Sequence, residues 1–317
     1  MDIIISMCTS GLMIAPPIII AALGAMFAER SGVINIAVEG IMTVGAFVAA
    51  TVCVLLEPSM SSNAGWVAVI AAVVAGVIYS VLLAISAINF RADQTIAGTA
   101  VNLLSTGLCV YLCQVIFGQQ RTIAFTTGIS RIQSVPILGD IPIIGDILFK
   151  NVYPTFYIAI ILTVIVWYVA FKTPFGLRLR ACGENPHAAA SVGVKVIRMR
   201  WIGVLLSGAF AGLAGAFLVL TTSIQFTANT IHGTGFIAIA ALIFGKWNPW
   251  GCFGAGLFFG LSQALGTRAS LIPVLNLIPS DFFNCIPYIL TVIVLIFTAG
   301  RSVAPKAEGQ IYDAGQR

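Results

Sequence analysis

The chain has 317 residues, 59% of them apolar by type and 9% charged, with a mean hydropathy of +1.03. An ordinary soluble domain carries about 25% charged residues, so this composition excludes a soluble globule and indicates a polytopic membrane protein. Sixteen Lys and Arg against eleven Asp and Glu give a net charge of +5, but no run of five basic residues occurs, which favours basic inner connections over nucleic-acid binding.

A bilayer core about 30 Å thick needs roughly 20 helical residues. In chain order the apolar segments predict about nine transmembrane helices, over 3–28, 33–56, 66–89, 95–117, 154–171, 201–222, 234–246, 250–267 and 284–299. The first is longer than a signal-peptide core and has no basic residue before it, so it is expected to be a retained membrane helix. The 234–246 segment is short enough to be re-entrant or broken. With the 172–200 connection inside, twelve Lys and Arg lie on that side, against Arg121, Arg131, Lys150 and Arg268 on the other. This bias predicts an outer N-terminus, a cytoplasmic C-terminal tail over 300–317, and a single all-α transmembrane domain over 1–317.

Two connections carry their own patterns. The outer one, 118–153, contains Pro136 and Pro142, and its alternation over Val135–Ile143 predicts short amphipathic pieces. In the inner one, 172–200, the run from Gly183 to Ser191 reads as a short helix with Asn185 as N-cap, Pro186 at N1 and Gly193 beyond its end. By position it is either a docking element or an ordinary connecting loop. Gly32–Ala37 and Gly235–Ala240 share four of six residues, and in this topology they run in opposite directions, as an inverted repeat requires.

Polar groups inside spans are costly and therefore informative. Asn35 and Glu39, four apart, would share one face of the second helix. They could line a translocation path, or the carboxylate could be tied to backbone amides near a helix start. Gln94, Asn102, Ser105 and Thr106 give the fourth helix a face suited to a neutral hydroxylated substrate or to helix–helix hydrogen bonding. Gly208-xxx-Gly212 and Gly256-xxx-Gly260 are small-residue packing motifs. The seven cysteines form no CxxC pair; Cys109 and Cys113 share a face, but no His or carboxylate lies near them in sequence, so no metal site is expected. GxxxxGK[ST], HExxH and GxSxG are all absent, which leaves an enzyme unsupported and places any energy source outside the chain.

Four blocks, in order along nearly the whole chain, carry a family resemblance: Glu29–Gly40, Arg91–Gly98 with Asn102–Leu104, Thr173–Pro186, and Gly235–Ala240 through Gly245–Trp247. The chain resembles the permease subunits of bacterial ABC importers for nucleosides and simple sugars, in the branched-chain amino acid permease-like family. The resemblance implies an inner-membrane subunit working with a second similar permease, with ATPase subunits that use ATP and Mg, and with an extracytoplasmic binding protein or lipoprotein that delivers the substrate. Gly183, Glu184, Asn185, Pro186, His187, Ala188 and Ala189 would then belong to the loop that couples to the ATPase, with Asn185–Ser191 matching the coupling helix it receives, and 118–153 would face the binding protein. Asn35, Glu39, Gln94, Asn102 and Ser105 are the candidate pathway residues. A nucleoside is the expected substrate, with riboflavin or a sugar such as ribose as alternatives. Outside the family, the rivals are a self-contained secondary transporter resting on Glu39 and a subunit with no conduction path.

Overall fold

The computed structural model describes residues 2–60, 63–118, 122–126, 128–134, 145, 148–268, 289 and 304–313. In chain order the helices are α1 (Asp2–Arg30), α2 (Val38–Met60), α3 (Ala64–Ala84), α4 (Gln94–Phe117), α5 (Pro154–Lys172), α6 (Pro174–Glu184), α7 (Pro186–Ser191), α8 (Val196–Phe217), α9 (Thr234–Phe244) and α10 (Pro249–Arg268). Wider π-helical turns extend α3 over Ile85–Asn89 and α8 over Leu218–Ser223. Six of these helices are long and apolar enough to cross a membrane. The 11-residue α9 is shorter than a bilayer core requires, as the sequence led one to expect of this segment. The ninth expected span, 284–299, lies outside the described residues except for residue 289, and the amphipathic pieces of 135–143 lie wholly outside them.

Helix α1 is the axis of the bundle: 89% of its apolar window is buried, against 22% for α4. Small residues make this possible. Gly256 and Gly260 of α10 meet Ile19 and Ala15 of α1, and a Cβ on either glycine would come within 2.6 Å of those side chains. Gly208 and Gly212 of α8 pack against Gly76, Ser80 and Ala72 of α3 in the same way. Both glycine motifs therefore serve packing within the subunit, where close backbone approach replaces the hydrophobic drive that lipid removes.

Three details differ from the architecture expected from sequence. Among the described residues are four short strands: β1 (Thr122–Ala124) pairs antiparallel with β4 (Gln225–Thr227), and β2 (Ile132–Ser134) with β3 (Lys150–Val152). The second span does not begin at 33. Residues 31–37 are non-helical, and α2 starts only at Val38, because distant side chains satisfy the backbone there (below). The inner connection is mostly helical rather than a polar loop around one short helix. Thr173 accepts the Gly176 N–H at 3.3 Å and Pro174 occupies N1, so α6 forms directly ahead of α7.

Candidate functional site

The segment between α1 and α2 crosses the bundle without a helix of its own, so its backbone polar groups need partners from elsewhere. Gln94 Oε1 accepts the Ile34 N–H at 2.7 Å. Asn102 accepts the Gly40 N–H at 2.7 Å through Oδ1 and donates Nδ2 to the Ile36 carbonyl at 2.9 Å, so one amide closes the break on both sides. Asn35, fully buried, donates to Ser207 Oγ at 2.8 Å and fixes the segment to the middle of α8. Two turns into α2, Gly45 meets Gly212, five residues beyond Ser207 on α8, so α2 starts against the middle of α8 and not at its end.

A second helix starts at the same level. His232 and Gly233 both take positive φ, +47° and +79°, and turn the chain into α9. Left-handed backbone at a non-glycine residue is costly and is held here by its surroundings. The Glu39 carboxylate supplies the hold: Oε1 accepts the Gly233 N–H at 2.8 Å and Oε2 the Gly235 N–H at 2.7 Å. An anion at a helix N-terminus satisfies orphan donors and the helix dipole together. Glu39 therefore caps α9 from another helix, while Asn102 caps the break below α2.

A cavity of about 320 Å³ opens beside these two helix starts. Glu39, Thr43, Thr99, Asn102, Ser105 and Thr106 line one wall, and Asn229, His232 and Phe236 the other. The lining offers a carboxylate, amides, hydroxyls, an imidazole and one exposed ring, a surface for a small polar solute with a flat apolar part. A larger cavity of about 520 Å³ lies across the 228–234 turn and shares Ile231 and His232, but none of the polar residues singled out in sequence faces it.

At the other end of the bundle, α6 and α7 stand beside the ends of α1 and α8. Asn185 accepts the Ala188 N–H at 3.0 Å and caps α7, and Gly193, at φ +85°, follows its end. Glu184, Asn185, His187 and Ala188 are exposed, whereas Gly183, Pro186 and Ala189 are buried against the bundle. Burial pushes the Cys182 thiol up to about 11.

Residues 7–295 match the family model described as branched-chain amino acid transport system, permease component. The chain belongs to this family. It is 45% identical over 306 residues to the guanosine ABC transporter permease protein NupQ of Bacillus subtilis, covering 96% of each chain. It is 41% identical over 301 residues to the nucleoside ABC transporter permease protein NupC of Lactococcus lactis, covering 95% of this chain and 94% of the relative. A more distant relative, the guanosine ABC transporter permease protein NupP of Bacillus subtilis, is 27% identical over 285 residues, covering 89% of this chain and 78% of its own. The permease is thus a multi-pass membrane transport component.

Of the candidate pathway residues in the permease, the structure brings Glu39, Asn102 and Ser105 to one cavity. Asn35 and Gln94 stand behind it and hold the non-helical segment. Asn35 and Glu39 do not share a helix face, since the helix begins between them. Asn229, His232 and Phe236 were not singled out as cavity residues in sequence. Their one signal was a His-Gly pair directly ahead of a short apolar helix. The two six-residue stretches of the apparent repeat take different backbones, non-helical at Gly32–Ala37 and helical at Gly235–Ala240.

Proposed function

We propose that this permease is one of two membrane subunits of an ATP-driven importer that passes a nucleoside into the cytoplasm. The full-length similarity to permeases named for guanosine and nucleosides carries this reading. The cavity is consistent with it: hydroxyls and amides suit a ribose, and exposed Phe236 suits a flat base. Glu39 and Asn102 would face the solute, with buried Ser105, Asn35 and Gln94 setting the wall behind them.

Family membership supports the remaining parts of the machine. Two Bacillus subtilis permeases, both named for guanosine, are each similar to this chain, which supports a second, homologous permease as its partner. Partner ATPases would bind ATP and Mg and receive the exposed side of Gly183–Ala189, with 172–200 on the cytoplasmic side. An extracytoplasmic binding protein would deliver substrate to 118–153. The chain would then form one transmembrane domain of about nine crossings in a bacterial inner membrane, with 284–299 as the last and the C-terminus cytoplasmic.

The test is uptake of labelled guanosine by proteoliposomes holding the permease with its partner permease, ATPase and binding protein. ATP-dependent uptake that also requires the binding protein is the expected result. Uptake driven by an ion gradient alone would overturn the importer. Competition by unlabelled ribose or riboflavin, but not by nucleosides, would keep the machine and reassign its substrate.

A further inference from the structure

Residues 304–313 form a strap across the end of the bundle that carries α6 and α7, and its contacts reach every element gathered there. The Ala307 N–H donates to the Gly183 carbonyl at 2.8 Å, at the end of α6. The Gly309 N–H donates to the Gly32 carbonyl at 3.3 Å, at the mouth of the non-helical segment below the cavity. The Tyr312 ring stands 5.3 Å from the His187 ring on α7. Arg200, at the start of α8 and only 3% exposed, donates Nη1 to the Gln310 carbonyl at 2.8 Å and lies 5.9 Å from the centre of the Tyr312 ring. Asp313 pairs with Arg91, just ahead of α4, at 3.1 Å.

These contacts form a closed chain of packed backbone. Gly183 has no room for a Cβ because the Arg30 carbonyl occupies that space. At Gly32, which takes φ +93°, a Cβ would lie 2.9 Å from Arg200 Nη2 and 3.2 Å from the Ala307 carbonyl. Three chain segments, the α1 end, the α6 end and the strap, thus cross at two glycines with no slack between them. A displacement of α6 and α7 cannot leave the strap behind without breaking the Ala307–Gly183 backbone hydrogen bond and parting the His187 and Tyr312 rings. The strap in turn holds Gly32, five residues ahead of Ala37, the last residue before α2.

We infer that the 304–313 strap is a positioning element that carries movement of the α6–α7 pair to the Gly32–Ala37 segment under the transport cavity. This rests on the importer reading, in which α6 and α7 meet the ATPase. The physical warrant is a contiguous, tightly packed linkage with discrete contacts at both ends. Arg200 and Tyr312 act through the strap and do not touch the solute.

The experiment uses the complete transporter in proteoliposomes and records guanosine taken up per ATP hydrolysed. ATP-dependent uptake by the unaltered complex must come first; its failure concerns the importer and not the strap. Deleting 304–317 is then expected to leave ATP hydrolysis in place and to lower uptake per ATP about tenfold, the scale of an ordinary coupling between sites. Tyr312→Phe is expected to keep the ratio, since the ring is retained. An unchanged ratio in the deleted chain overturns the inference. Should the deleted chain fail to assemble, Ala307→Pro, which removes the N–H that reaches the Gly183 carbonyl, decides the matter. Lowered uptake per ATP with hydrolysis retained is expected; an unchanged ratio overturns the inference.

Discussion

The helices that start at Pro174 and Pro186 are capped by the residue just before them, Thr173 on the Gly176 N–H and Asn185 on the Ala188 N–H. The helices that start at Val38 and Thr234 take their polar partners from far along the chain: Asn102 reaches back 62 residues to Gly40, and Glu39 is 194 residues from Gly233. The difference follows the solvent. At the surface a short side chain and water satisfy a helix end, so local sequence suffices. Away from the surface the apolar surroundings offer no partner, and the helix starts at Val38 and Thr234 are closed by side chains from other helices. The remote caps Glu39 and Asn102 also line the cavity, so the groups that permit two helices to start inside the bundle are among the groups that shape it.

This contrast predicts a ranking of substitutions. Glu39→Ala should be the most damaging, because it strips two N–H donors of a charged acceptor; hydrogen bonds to charged groups contribute about 1.5–3 kcal/mol each. The purified complex should melt clearly lower and transport should fall with it. Glu39→Gln should restore much of the melting temperature, having kept one acceptor oxygen, and a variant that melts like Glu39→Ala would break the capping argument. Asn102→Leu should come next, leaving the Gly40 N–H and the Ile36 carbonyl unpaired at about 1–3 kcal/mol each. Thermal melts should show Asn102→Asp lying between it and the unaltered chain, since only the acceptor side survives.

The local caps should matter less. Asn185→Ala is expected to cost about 1 kcal/mol, and Asn185→Ser almost nothing, as read by hydrogen exchange over 186–191. A loss comparable to that of Asn102→Leu would erase the distinction between the two kinds of helix start.

The smallest effect concerns pH. Burial raises the Glu308 carboxyl above the usual carboxylate range, offset in part by its hydrogen bond with Glu29 and by Arg30. A raised carboxyl favours the folded strap most when protonated. Its contribution is therefore complete below the ordinary carboxylate range and is lost as pH rises through the higher folded value. Glu308→Gln should flatten the pH dependence of strap protection in hydrogen exchange across that window, and an unaltered slope would remove Glu308 from the account.

Much of this architecture is legible in the amino-acid sequence. The apolar segments, the short seventh element and the Asn185-Pro186 cap are all readable there, because a span of about 20 apolar residues and an N-cap are local facts. Helix α6 is not read from sequence: Thr173-Pro174 repeats the Asn185-Pro186 signature, but the basic residues of Leu177–Arg180 make the stretch read as a loop. The strap at 304–313 gives no pattern of its own: its bonds run through backbone groups of Ala307 and Gly309 to glycines more than a hundred residues away.

The sequence by itself determined a multi-pass helical membrane protein, the rough positions of its spans and the set of costly polar residues within them. Only the tertiary structure decided what those residues do: that Asn35 and Gln94 hold the non-helical segment, that Glu39 and Asn102 face the cavity with Ser105 buried in its wall, and that Asn229, His232 and Phe236 complete it. The physical reason is the range of the interactions. Hydrophobic length and capping chemistry act between near neighbours in the chain, whereas a buried carboxylate or amide finds its partner through the packing of helices that the sequence brings together only once folded.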